Sequence, residues 1–501
     1  MFANSGNYNY LSQKKRISHS KHPNNPNFFS SNAKVSFDGF INENYFQINQ
    51  ETRLIQNLEI THAITKNPIT YQKEAFLGVF LKSKYDGIGN RHPINMSIAL
   101  DVSGSMGSIE DGGKDRITLA KESLKKLVSI MDQKNDKMSL ITFNHNTKKI
   151  FGLSNKKEIE NKFLRNINSI KAGGGTDLVE ALQSAMNNIQ TNDNKYKRII
   201  MITDVDYNDD NHKLFDLFEK CVKEKKISIT IIAISQNSNL SLADKVCHFR
   251  GCNYFPITKT SELETFMIKN FKYIFFPIAH EIKLTVKSEN SHILKCVGGG
   301  NELSDEFENN KEDIKKPSKE VTFELGSSFS SELLKRNDKV YTKGGLILLK
   351  INTEDLNKNE ALRFDFISEC ESFEGKKLCQ NYSYTIDNRE EEINNFFKTS
   401  NIQKGIAIYY FCIILNHIVE VENNRNSKKD EIKKEKDLKL LETKQSVSDY
   451  LNNNFVIEPN IKETTNNFQN YKKLIEDRYS EFHDGVQKFY NLMAAPLPLY
   501  H

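Results

Sequence analysis

Asp101, Ser103 and Ser105 stand at alternate positions directly after the apolar run 94–100. Such a run reads as a buried strand that stops at a carboxylate and two hydroxyls. Three hard oxygen donors on one loop can converge on a point, and an octahedral cation such as Mg²⁺ takes oxygen ligands while keeping some of its waters. Ser-Gly-Ser also occurs in ordinary turns, and Asp and Ser also cap helices, so this string alone does not decide. Two more oxygen-bearing loops point the same way. Gly173-Gly174-Gly175-Thr176-Asp177 precedes a helical pattern, and the apolar run 199–202 ends in Thr203-Asp204. For Thr176 the alternative is a helix cap, and for Asp204 a plain strand end. Asp177 and Asp206 read as solvated or supporting groups.

The elements that must hold these loops alternate between strand and helix. Ile117, Ala120, Leu124, Leu127, Val128 and Met131 recur at helical spacing after the first loop. Residues 138–143 and 149–153 read as strands, and Ala181, Leu182 and Ala185 mark a second helix face. The β-branched run 227–234 is the pattern of a strand buried on both faces. A helix around Leu240–Val246, a strand at 253–257 and a closing helix over 261–271 complete the series. Alternation of this kind predicts a doubly wound, mostly parallel sheet with helices on both faces. Ligands of such sheets bind outside the carboxyl ends of the strands, where Asp101 and Asp204 fall.

With those residues in place, the segment 93–275 resembles the von Willebrand factor type A domain with its metal-ion-dependent adhesion site. The resemblance covers roughly a third of the chain. It implies that Asp101, Ser103 and Ser105 form the first metal loop, Thr176 the second and Asp204 the third. It also implies Mg²⁺ as the cofactor, with Mn²⁺ and Ca²⁺ as alternatives. Ser103, Ser105 and Thr176 would ligate directly, and Asp101 and Asp204 directly or through water. The expected partner is a protein presenting Asp or Glu. Two departures from the family stand near the site: Val205 replaces a usual Gly, and a polar insert at 107–114 follows the first loop.

The flanks are of another kind. Residues 1–34 are Asn-rich and poor in aliphatics, a composition that predicts disorder. Strand-like alternation at 58–64 and 75–81 cannot build a core alone and needs a partner sheet. Strand patterns return over 276–388, including a hairpin-like pair at 340–351 around Gly344-Gly345. The expectation is a Rossmann-like domain at 93–275 inserted between two parts of a β-sandwich, 35–92 and 276–388. A helical region at 389–501 follows, with a charged, coiled-coil-like linker over 424–444 and an apolar helical face at 469–492.

Composition narrows the function. Of 501 residues, 38% are hydrophobic and 27% charged, which fits a soluble chain of several domains. A net charge of +5 is small for this length and argues against an obligatory nucleic-acid partner. Seven scattered cysteines make no disulfide framework. The start shows no secretory signal, and the apolar run 406–415 is about half the ~20 residues of a membrane span, so the expected location is cytoplasmic.

Other candidate motifs fail on spacing. His280-Glu281 lacks a second His at the zinc-protease position, where Leu284 stands. Cys247 and Cys252 have no second ligand pair. Gly298-Gly299-Gly300 is not followed by the Gly-Lys-Ser/Thr of a phosphate loop. No base or nucleophile accompanies the metal loops, so the reading is a cation-dependent binding module and not an enzyme. An intracellular structural scaffold, with the metal site unused for ligand binding, is the alternative.

Overall fold

The structure, a computed structural model, describes residues 37–48, 57–66, 72–82, 92–109, 113–190, 195–204, 212–234, 249–257, 275–299, 317–329, 333–336, 338–353, 361–372, 375–387 and 396–425, with positions 246, 263, 268, 271 and 273 singly.

A six-stranded sheet carries the candidate loops. Across it lie Thr147–Asn155, Lys137–Phe143, Ile94–Asp101, Tyr196–Thr203, Ile227–Ile234 and Asn253–Ile257. Neighbours run parallel except the edge strand Thr147–Asn155, which is antiparallel to Lys137–Phe143. The strand order reverses between Ile94–Asp101 and Tyr196–Thr203, where Leu100 lies opposite Ile202. That reversal is the crevice where such sheets bind ligands. Asp101 ends the first of these strands and Asp204 follows the second.

Strand alternation sorts the core into two layers. Ile98, Leu100, Ile200 and Ile202 face one side, joined by Ile117, Ala120, Leu124 and Leu127 of the helix Arg116–Ile130. Ala99, Ile141, Phe143, Ile199 and Met201 face the other. The helices Leu178–Asn188 and His212–Glu219 cover that side with Ala181, Leu182, Ala185, Leu214 and Phe218. Apolar residues on both faces of the strands explain the continuous β-branched runs. Each such side chain contributes about 1.5–3 kcal/mol on full burial. Both helices flanking the site start at an aspartate: Asp115 accepts from the Thr118 amide, and Asp177 from the amides of Val179 and Glu180.

Two five-stranded antiparallel sheets lie outside this unit. One contains Glu320–Glu324, Pro277–Ser288, Leu362–Ser372, Lys377–Ile386 and Ser328–Phe329. The other contains Ile293–Val297, Leu346–Ile351, Lys73–Lys82, Asn57–Lys66 and Phe396–Phe397. Leu77, Val79, Ile347 and Leu349 of one share a hydrophobic cluster with Ile282, Leu284, Phe364 and Phe366 of the other. Strands that precede the α/β unit therefore pair with strands that follow it, with Phe80 opposite Leu346.

The expected hairpin around Gly344-Gly345 does not form. Lys339–Lys343 pairs with Tyr45–Ile48 and Leu334–Arg336 in a separate three-stranded sheet, whereas Leu346–Ile351 pairs with Lys73–Lys82. Both glycines have left-handed φ, +74° and +81°. A Cβ on Gly345 would overlap the Leu81 carbonyl, and the Leu81 amide donates to the Gly345 carbonyl at 2.7 Å. The pair hands the chain from one sheet to another instead of folding it back. In the 389–501 region, Phe396–Phe397 is strand, and a helix runs over Ser400–Arg425 with Ile402, Ile406, Tyr409 and Tyr410 buried. No helix among the described residues is long and apolar enough to cross a membrane. The tail at 1–34, the linker beyond residue 425, the face at 469–492, most of the helices around 240–246 and 261–271, and Asp206 lie outside the described residues.

Candidate metal centre

The first loop begins where the strand Ile94–Asp101 leaves the sheet. A 3₁₀ turn, Gly104–Gly107, follows it, anchored by the fully buried Met106. Asp101 is fully buried and both its carboxylate oxygens are engaged. Oδ1 accepts from the Ser103 amide at 2.7 Å, and Oδ2 accepts from the Thr203 hydroxyl at 2.6 Å. The neighbouring strand thus fixes the carboxylate through the residue just before Asp204.

Hydroxyls carry the network onward. The Ser105 hydroxyl donates to Asp204 Oδ1 at 2.8 Å, and the Ser103 and Ser105 oxygens are 3.0 Å apart. A hydroxyl has one proton to give; with that of Ser105 directed to Asp204, Ser103 donates to Ser105. Asp204 Oδ2 in turn accepts from Arg116 Nη1 at 2.7 Å, and the Asp204 side chain is wholly buried in this pair. Arg116 is held there by its own amide, which donates to the Ser108 carbonyl at 3.2 Å and closes the polar insert back onto the first loop.

The glycine loop is pinned to the same place by backbone. The Gly104 amide donates to the Gly174 carbonyl at 2.9 Å, and the Gly173 amide to the Val102 carbonyl at 2.7 Å. Asn144 adds a bond from its side-chain amide to the Gly173 carbonyl at 2.8 Å. Gly174 has φ +89°, and a side chain there would collide with Asn144 and His145. Thr176, two residues on, is half-buried. Asp177 spends its carboxylate on the helix cap.

The structure therefore joins Asp101, Ser103, Ser105 and Asp204 in one hydrogen-bonded chain, and brings the glycine loop that carries Thr176 against the first loop. The donors are all oxygen, two carboxylates and three hydroxyls, a set chemically suited to a hard divalent cation. No cluster of three or more His, Cys, Asp or Glu suited to a metal occurs among the described residues; the hydroxyls distinguish this set from such a cluster. Burial holds the Asp101 carboxyl above the usual carboxylate range. Bonds from Thr203 and Ser103 pull the other way, and the nearby Asp204 charge adds to the rise. Two buried acids close together favour a counter-charge, which here Arg116 supplies to one of them.

Sequence reasoning did not find Arg116, Thr203 or Asn144. Thr203 was visible beside Asp204, but its bond to Asp101 is a cross-strand contact. Arg116 stands beside a helix cap, where an arginine usually looks solvated.

The model of the von Willebrand factor type A domain matches residues 96–206, a span that includes all five candidate site residues. An uncharacterised protein of Borreliella burgdorferi is 27% identical over 113 residues, which cover 23% of this chain and 33% of that protein. The match spans about a third of that relative's length. Among solved structures, a von Willebrand factor type A protein from Catenulispora acidiphila aligns with TM-score 0.45 and 11% identity, covering 84% of this chain and 93% of that one. The ArnB paralog VWA2 from Sulfolobus acidocaldarius aligns with TM-score 0.38 and 14% identity, covering 88% and 98%.

Proposed function

We propose that this chain, whose α/β unit has the fold of von Willebrand factor type A domains, is a Mg²⁺-dependent protein-binding module. A domain of this type fits an interaction or adhesion role in general. The observation that carries the finer reading is the linked set Asp101, Ser103, Ser105 and Asp204 at the strand-order reversal. Ser103, Ser105 and Thr176 would hold the cation directly, and Asp101 and Asp204 directly or through water. Thr203 and the Ser103 amide orient Asp101, and Arg116 steadies Asp204. When bound, the cation supplies an exchangeable position that an Asp or Glu of a partner protein fills.

In the same reading the strands on either side of the α/β unit form one β-sandwich, 35–92 with 276–388, into which residues 93–275 are inserted. The shared cluster of the two five-stranded sheets supports it.

A second reading is an intracellular scaffold whose site is not used for ligand binding. The Arg116–Asp204 pair favours it, because a tethered guanidinium already offsets one site carboxylate.

The test is capture of proteins from native extract by the purified chain in Mg²⁺ and in EDTA, with Asp101→Ala alongside. Proteins lost on chelation and also lost with the variant support the adhesion module. Proteins retained in all three conditions overturn it in favour of the scaffold.

A further inference from the structure

At the opposite end of the parallel sheet from Asp101 lies a cavity of about 750 Å³ between the α/β unit and the strands Pro277–Ser288 and Leu362–Ser372. Lys195, Lys197, Lys225, Lys226 and Arg250 line it, and Glu371 is the one acid among its described lining residues. That acid is already committed. Arg250 grips both Glu371 oxygens, at 2.7 and 2.9 Å, and also reaches Glu281 at 3.1 Å. The described lining thus carries five basic side chains against one acid, and Lys195 also donates to the Asn135 carbonyl at 2.7 Å.

A further positive charge is sealed beneath the wall. Arg198 is wholly buried, and its partners are neutral: the Thr230 hydroxyl, the Asn253 amide oxygen, the Tyr196 phenol and the Gly251 carbonyl. Its Nε has no hydrogen-bond partner. A guanidinium stays charged at any ordinary pH, and a buried charge without a counter-charge is costly. The cavity wall is one side chain away, since Arg198 donates to Tyr196, whose hydroxyl bonds Ser228, and both of these line the cavity. Lys226 is held at φ +55° between the turn Lys220–Glu224 and the strand Ile227–Ile234. Non-glycine residues seldom adopt that conformation, and such outliers gather at binding sites.

We propose that this cavity binds a small ligand carrying two or more phosphate groups, independently of the metal centre. The volume suits a small molecule. Lysines act as point charges that bind phosphate, whereas the one arginine fork that would select a carboxylate is filled by Glu371. The ligand would bridge the α/β unit to the hairpin that carries Glu371 and Gly375, and so would stiffen their junction.

Calorimetric titration of the full chain with inorganic pyrophosphate and tripolyphosphate tests this, in EDTA so that the metal centre plays no part. Binding should exceed that of sulfate at matched ionic strength. The double variant Lys225→Gln, Lys226→Gln should bind roughly tenfold more weakly or worse, with its own melting temperature unchanged. Lys223→Gln, an exposed lysine bonded to Glu219 outside the cavity, should bind as the parent does. Equal binding by parent and double variant, or a response no larger than that to sulfate, overturns the proposal.

Discussion

Arg116 places Nη1 2.7 Å from Oδ2 of Asp204, so the third candidate metal loop is charge-paired with the start of the helix that follows the first. The guanidinium is mostly buried and the carboxylate wholly so. Removing one partner of such a pair leaves a buried charge, at a cost of about 3 kcal/mol. Arg116→Gln should therefore lower the melting temperature in EDTA. If a divalent cation uses Asp204, Mg²⁺ should restore more stability in Arg116→Gln than in the parent, because no tethered cation competes. Melting curves of both proteins with and without Mg²⁺ decide it. An equal Mg²⁺ response in both would separate Asp204 from any cation.

Asp101 offers a finer test than truncation. Asp101→Asn keeps the shape and one acceptor oxygen for the Ser103 amide bond, and Thr203 can accept from the new amide instead of donating. The fold should survive with a loss of about 1–2 kcal/mol. The Mg²⁺-induced shift in melting temperature should vanish. Retention of that shift would show that Asp101 is not required for cation binding.

His280 gives the molecule a pH dependence with a definite sign. Burial, reinforced by the Arg250 charge, pushes its ring down to about 3 from an ordinary 6.5, against the pull of Glu371. The folded state thus holds His280 neutral, with Nδ1 2.9 Å from the Ser327 hydroxyl. Above the unfolded value both states are neutral and the contribution is fully present. As pH falls from about 6.5 towards 3 the unfolded chain takes up a proton that the folded chain refuses, at about 1.4 kcal/mol per pH unit. Urea unfolding at pH values through that window should show the loss, and His280→Gln should flatten the slope. An unchanged slope in the variant would place the dependence elsewhere.

Two glycines with nearly the same φ should respond differently to alanine. Gly345 and Gly375 lie at +81° and +83°. Alanine at 375 meets a Glu371 carboxylate oxygen at 3.5 Å, an ordinary contact, so its cost is the left-handed penalty of about 1 kcal/mol. Alanine at 345 adds an overlap with the Leu81 carbonyl and should cost at least about 3 kcal/mol. Denaturant midpoints of the two variants measure the difference.

The α/β unit was legible because its signals are local. A buried run such as 227–234 announces a strand from eight consecutive residues, and Asp101 and Asp204 stand where those runs end. The polar links between them were not legible. Arg116 and Asp204 are 88 residues apart, and nothing near either one names the other. Arg198 sits near the start of a strand that is apolar from Ile199 to Ile202, yet its four partners come from its own strand and two distant segments. Gly344-Gly345 misled for the opposite reason. Two glycines between apolar runs are a strong hairpin signal, and only the closeness of the Leu81 carbonyl shows that the chain crosses between sheets there.

The pairing of Lys73–Lys82 with Leu346–Ile351 sets an order on synthesis. As the chain leaves the ribosome, the early strands Asn57–Lys66 and Lys73–Lys82 can pair with each other but have no third strand on the Lys73–Lys82 side. The whole α/β unit must emerge, and can fold, before their partner exists. Until then an apolar pair bearing Leu77 and Val79 waits with both edges open, since Phe396–Phe397 emerges later still, a template for pairing with another nascent chain. Completion of the outer sheets is thus the late and vulnerable stage of this protein's birth.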